Sequence, residues 1–173
     1  MPKRNTVRLG FVGGVAMAAA VAGLIMPSTA QASVAQGYVV GAGVITDDFG
    51  DEGPLSTSQN SYNNVVGMWQ GILWADGYLE SSDRDCMFGP VTHAATVAWQ
   101  EDHGLDGDGI VGPKTFGTAD DFLFWDGNEI KYDGAERNLS GMYRDSQGRY
   151  YGDGVQGQIV YVSYTATDAP ICS

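Results

Sequence analysis

Histidine and cysteine are scarce in this 173-residue chain, with two of each. Two histidines cannot fill the sites of most zinc enzymes, which need three or four protein ligands. Here His93 and His103 lie ten residues apart, off a common helical face, with no third ligand beside them. Basic side chains are also few: 9 Lys and Arg stand against 21 Asp and Glu, a formal net charge of −12. That excludes nucleic acid as a partner, because cationic groups must displace its condensed counterions. An anionic membrane surface is excluded for the same reason. The chain has no G-x-S-x-G nucleophile elbow, no Walker loop and no Ser-His-Gly-x-x-x-Cys stretch. Asp106-x-Asp108-Gly109 opens like a calcium loop, but its twelfth position is Gly117 rather than Glu. No metal and no cofactor is therefore expected. What remains is a 43% hydrophobic chain, able to form a core.

Long apolar runs are absent except at the start. Lys3, Arg4 and Arg8 precede an apolar stretch over 9–26, and Ala30-Gln31-Ala32 supplies an A-x-A cleavage site. This layout predicts a secretory signal peptide over 1–32. The alternative is an uncleaved anchor, since roughly 17–25 apolar residues span a bilayer. Cleavage leaves 141 residues with 6 basic and 21 acidic side chains, expected to be secreted and extracellular, with no membrane contact after cleavage. In an oxidising compartment an isolated cysteine pair forms a disulfide, so Cys86 and Cys172 are expected to be joined. Closing so long a loop contributes roughly 4–5 kcal/mol in the chain-entropy picture. The rival reading, a reactive thiol, finds no His near either Cys in sequence.

The expected fold class is α+β, in four parts. The signal peptide is followed by an acidic Gly/Ser linker over 33–60, exposed around Asp47, Asp48, Asp51 and Glu52, with a possible edge strand over 38–45. A helical module over 61–123 comes next. Val65, Trp69, Ile72 and Leu73 share one helical face, and Val91, Ala95, Ala98 and Trp99 repeat that spacing. A third helix opens near Pro113, with Phe116, Ala119 and Leu123 inward. Gly77 and Gly104 stand just past the first two helices, where a left-handed residue closes the last turn. The tail over 124–173 alternates aromatic residues with Gly-rich turns and reads as a small antiparallel β meander. Ser146-Gln147-Gly148 is its clearest hairpin loop. The stretch 158–167 reads as a strand with apolar groups on both faces and cover on both sides.

One pattern occurs twice. Phe88-Gly89-Pro90-Val91-Thr92 matches Val111-Gly112-Pro113-Lys114-Thr115, each after an acidic turn. Pro at the first helical position has no N–H to waste, and Gly allows the tight approach. Trp69-Gln70 and Trp99-Gln100 repeat as well. Buried glutamine amides demand partners, so Gln70 and Gln100 are expected to tie loop backbone down.

In order and spacing, Trp69-Gln70, Gly77-Tyr78, Asp83 to Asp85, Phe88 to Thr92, Trp99-Gln100, Gly104-Leu105 and Asp108 to Thr115 resemble the small three-helix peptidoglycan-binding domain family of bacteria. The departure is Cys86-Met87, where that family carries Asp or Gly before Phe-Gly. The resemblance implies a three-helix bundle that docks on cell-wall peptidoglycan, through glycan and stem peptide. Its implied ligand-binding residues are Asp85, Phe88, Thr92, Asp108, Ile110 and Thr115. Each has a plainer reading too: Thr as a helix cap, Phe88 and Ile110 as core, Trp69 and Trp99 as core. The expectation is a monomeric, cell-wall-associated binding protein without catalytic residues. Two alternatives stay open. One is a wall hydrolase using tail carboxylates such as Glu136, Asp145 and Asp153. The other is a secreted inhibitor or signalling protein that uses the module for protein contact.

Overall fold

The computed structural model describes residues 34–154, 157–168 and 171–172. The expected signal peptide lies outside the described residues. The central segment holds three helices, α1 (Asn64–Ala75), α2 (Pro90–Asp102) and α3 (Pro113–Ala119). An antiparallel sheet follows: β1 (Leu123–Asp126), β2 (Glu129–Asp133), β3 (Asn138–Arg144), β4 (Tyr150–Asp153) and β5 (Ile159–Tyr161), each strand beside its sequence neighbour. The architecture is α+β, a helical module followed by a meander.

Local chemistry sets the helix boundaries. The Asn63 side chain accepts from the Val66 N–H at 3.0 Å and caps α1. Gly77 takes φ +86°, and Tyr78 N–H reaches back to Leu73 O at 2.8 Å. The end of α2 repeats this, with Gly104 at φ +73° and Leu105 N–H on Gln100 O at 2.8 Å. Both are Schellman closures. Helices α2 and α3 each open with Gly followed by Pro at the first position.

Helix α1 is enclosed on nearly every side; of its twelve residues only Trp74 is partly exposed. It packs on α2 by one face and on the sheet by another. Gly67 and Gly71 make the second contact possible. A Cβ on Gly67 would stand 2.4 Å from Cys86 Sγ, and one on Gly71 3.1 Å from Leu139 Cδ2. Trp69 is the centre of the core, edge-on to Trp99 and Phe116 at centroid distances of 5.2 and 5.7 Å. Cys86 and Cys172 form a disulfide with Cα atoms 5.0 Å apart, which ties the chain's last residues to the turn before α2.

Several expectations are corrected. Val91 is 58% exposed; the face of α2 turned inward runs Thr92, Ala95, Thr96, Trp99. The spacing is helical, but two threonines belong to it. Thr96 is accommodated because its hydroxyl bonds both Thr92 O and the Trp69 indole N–H. Leu123 is buried as expected, yet it opens β1, because α3 stops at Ala119 and passes into a 3-10 turn over Asp120–Phe122. The stretch 158–167 contains only a three-residue strand, Ile159–Tyr161, and Ile159 is exposed.

The acidic run is not an exposed linker. Val39, Ile45, Phe49 and Leu55 enter the core, and Asp48 and Glu52 are buried with them. The segment bridges to Ser163 and Arg149 at the sheet, to Val111 through Leu55, and to Met87 through Tyr62. Burial of its carboxylates is compensated at long range. Asp48 takes Arg144 at 2.7 Å and the Tyr150 hydroxyl; Glu52 takes the Tyr164 hydroxyl and Val40 N–H.

Asp120 lies beneath this segment and accepts from Phe49 N–H at 2.7 Å. Burial, with Asp121, Asp47 and Asp48 nearby, pushes its carboxyl up to about 6, against the opposing Phe49 N–H. The folded chain therefore holds this proton in a window, from the ordinary value near 3.8 up to about 6, where the unfolded chain has lost it. In that window the folded state binds more protons, so stability falls as pH rises. A two-unit shift corresponds to about 3 kcal/mol at most. Asp120→Asn should accordingly match the parent near pH 3.8 and exceed it above pH 6.5. Thermal unfolding across that pH range, compared between the two proteins, checks it.

Candidate functional site

The two repeats build two copies of one hydrogen-bonded clamp. Gln70 projects from α1 and is fully buried. Its amide nitrogen reaches Thr92 Oγ1 at 3.0 Å, Met87 O at 3.1 Å and Asp85 Oδ1 at 2.9 Å. Its amide oxygen accepts from Cys86 N–H at 2.8 Å. Gln100 repeats every contact from α2: Thr115 Oγ1 at 2.9 Å, Ile110 O at 2.9 Å, Asp108 Oδ1 at 3.1 Å, and Gly109 N–H at 2.9 Å. In each loop the same aspartate oxygen also accepts a backbone N–H two residues on, from Met87 or from Ile110, at 2.8 Å. One buried amide thus satisfies a whole loop, which is how a loop without regular structure is fixed in shape.

The clamp's central residue must turn left-handed, and Gly109 does so at φ +68°. A Cβ there would fall 2.1 Å from the His93 ring, which would have to shift to admit it. The first clamp places Cys86 at the same point, at φ +60°. That explains the departure at Cys86-Met87: the position carries the disulfide to Cys172 instead of a glycine.

The predicted site residues divide accordingly. Asp85 and Thr92 lie together in the first clamp, Asp108 and Thr115 in the second. Their polar atoms hold loop shape, although both aspartates remain exposed. Phe88 is a core residue, 2% exposed. Ile110 is 41% exposed and stands out beside the second clamp. Its counterpart in the first repeat, Met87, is 52% exposed, with Tyr62 bridged to it and also exposed. Met87 was missed in the sequence, although aligning the two repeats puts it opposite Ile110. Beside Ile110 lies an open hollow of about 370 Å³, bordered by Leu105, Asp106, Asp108, Pro113, Lys114 and Thr115. An apolar side chain next to two carboxylates, that of Asp108 held by the clamp, and one ammonium suits a ligand with methyl, amide and charged groups.

Phe88 and Val111, the residues after Met87 and Ile110, donate their N–H groups to the N-terminal segment, at Ser61 O (2.7 Å) and Leu55 O (3.0 Å). That segment therefore braces both clamps. Of the tail carboxylates named for hydrolysis, Glu136 and Asp145 do not converge. Glu136 and Asp145 flank β3 at opposite ends, roughly 25 Å apart at strand rise. Paired glycosidase carboxyls lie within roughly 5–10 Å. Glu136 is held by Arg137, and Asp145 by Arg149.

Comparison with known proteins agrees with this geometry. Residues 63–118 match the family described as a putative peptidoglycan binding domain. The chain is also similar to a protein of Bacillus subtilis (strain 168) named "Uncharacterized protein FadG", at 32% identity over 103 residues. That alignment covers 57% of this chain and 18% of the relative, so the chain spans under a fifth of that protein's length. No solved structure matches. No described helix is long and apolar enough to cross a membrane. The span that matches the putative peptidoglycan binding domain holds α1, α2 and nearly all of α3, with both glutamine clamps.

Proposed function

We propose that this is an exported, non-catalytic protein that holds bacterial cell-wall peptidoglycan with the surface at the second clamp. The family assignment supplies the polymer. The observation that carries the reading is the hollow beside Ile110, where an exposed apolar side chain, the Asp106 and Asp108 carboxylates and Lys114 border one open surface. The clamp beneath it is satisfied internally, so the surface is rigid before a ligand arrives, and little ordering opposes binding. Asp85, Phe88, Thr92, Asp108 and Thr115 keep the loops in shape, and Ile110 with Met87 makes the contact. Export agrees with the disulfide and with the acidic surface, which lacks the basic character needed for nucleic acid.

Co-sedimentation with insoluble sacculi tests the reading. The protein should pellet with sacculi across a range of salt, because part of the contact is apolar. Ile110→Asp, an exposed change that leaves the fold intact, should weaken pelleting by about tenfold, the equivalent of one lost apolar anchor. A wild-type protein that stays in the supernatant at every salt concentration contradicts the proposal. Clearing of a sacculus suspension by the protein contradicts its non-catalytic part.

A further inference from the structure

A second concavity lies away from the clamp surface and shares no lining residue with it. It is a cleft of about 170 Å³ between α1 and the sheet, with Gly67 and Gly71 on one wall and Leu139, Gly141 and Asp153 on the other. Its cation is Arg84, which follows the 3-10 turn over Ser81–Asp83.

Arg84 differs from the chain's other sheet-side arginines. Arg137, Arg144 and Arg149 each pair with a carboxylate, Glu136, Asp48 and Asp145 respectively. The Arg84 guanidinium makes no hydrogen bond or ion pair among the described residues, and its Nε is enclosed with no described partner. Its contact is the Trp74 ring, 5.2 Å from the guanidinium carbon to the centroid. Burial lowers its pKa, and no anion among the described residues offsets that. A guanidinium stays charged even so. Leaving a partly buried charge unpaired is costly, and in a chain with 21 acidic residues a partner was readily to hand.

We propose that this cleft receives the terminal carboxylate of a short peptide, with Arg84 forming the two-pronged contact to it. The planar guanidinium fork matches a carboxylate in geometry as well as charge. The glycine-lined wall and Leu139 admit a small side chain next to that carboxylate and leave no room for a bulky one. The volume equals roughly six waters, enough for one or two small residues. Asp153, on the sheet side, is an acceptor for the peptide's own N–H groups. The proposal rests on the wall reading for the source of such a peptide, since wall stem peptides end in a free carboxyl beside a small side chain.

The test is a titration of the ¹⁵N-labelled protein with N-acetyl-D-alanyl-D-alanine, with its C-terminal amide, and with inorganic phosphate. The free acid should shift the amides of Gly67, Gly71, Ser140 and Gly141, and the amide-capped peptide should not. Arg84→Met should weaken the response by about tenfold, as expected for a lost charge-assisted pair. Gly71→Ala is a second variant that keeps the charge. Its new Cβ sits 3.1 Å from Leu139 Cδ2 and 3.6 Å from Arg84 Nη2, so it narrows the cleft and should blunt the response too. Equal response to acid and amide, a response kept by both variants, or none at about 10 mM overturns the proposal. Phosphate acting as strongly as the peptide acid also overturns it, by making the cleft a bare anion site. A protein that pellets with sacculi yet ignores the peptide acid loses the cleft proposal alone. One that answers the peptide acid but never pellets loses the wall reading alone.

Discussion

Gln100→Leu should destabilise the protein by about 3–5 kcal/mol, although it alters a single side chain of similar size. The substitution removes the bonds to Gly109 N–H, Ile110 O, Asp108 and Thr115. Gly109 and Thr115 are buried, so their groups lose a partner without gaining water. Each orphaned polar group costs about 1–3 kcal/mol, which is why the total exceeds the net worth of the bonds themselves. Gln70→Leu removes the equivalent bonds but should cost less at the loop itself, because the disulfide still holds Cys86 in place. Urea unfolding gives the free energies, and amide exchange gives the location. Exchange at Gly109 and Ile110 should accelerate in Gln100→Leu well before global unfolding. If the two variants prove equal in stability and the second loop keeps its protection, the clamp is not what shapes it.

Arg144→Met should cost about 3–5 kcal/mol near neutral pH, the range for a buried ion pair that loses one partner. The Asp48 side chain is fully enclosed, and Gly41 lies directly against it. Desolvation already raises the Asp48 pKa, and Arg144 with the Tyr150 hydroxyl opposes that rise. Without Arg144 the carboxyl rises further, so the folded chain holds a proton that the unfolded chain releases. The penalty should therefore shrink as pH falls toward the ordinary carboxylate range and grow above it. Adding Asp48→Asn to Arg144→Met should recover most of the loss at pH 7, because no buried charge remains. A double variant no more stable than Arg144→Met would show that the cost lies in lost arginine packing instead.

These two predictions mark what the sequence does and does not disclose. The Gln100 clamp was legible because its parts lie within about fifteen residues and the pattern occurs twice. The repeated Trp-Gln pair, with the partners that a buried amide demands, points to the amide's hold on loop backbone, while the Asp and Thr partners read as ligand-binding residues. The helix ends were legible for a similar reason, since Gly77, Gly104, Pro90 and Pro113 act through their own backbone. The Asp48–Arg144 pair was not legible, because its members are 96 positions apart. Glu52 and the Tyr164 hydroxyl are 112 apart. Read locally, a stretch with Asp47, Asp48, Asp51 and Glu52 is an exposed run. Only the sheet that folds over it shows that half of those carboxylates have partners and that the hydrophobic residues between them face the core. The inward threonines of α2 were missed because a hydroxyl satisfied by the preceding turn and by an indole behaves as a core group. Arg84 gives no local signal at all, since what sets it apart is a partner it lacks in three dimensions.

The central claim is that two internally satisfied glutamine clamps present a preformed surface to peptidoglycan. Amide hydrogen exchange on the protein bound to sacculi, compared with the free protein, tests that most directly. Exchange should slow at residues 106–115 and beside Met87, while the amides bonded to Gln70 and Gln100, already protected, should change little. Unchanged exchange over 106–115, with slowing confined to the outer strands of the sheet, would contradict the account.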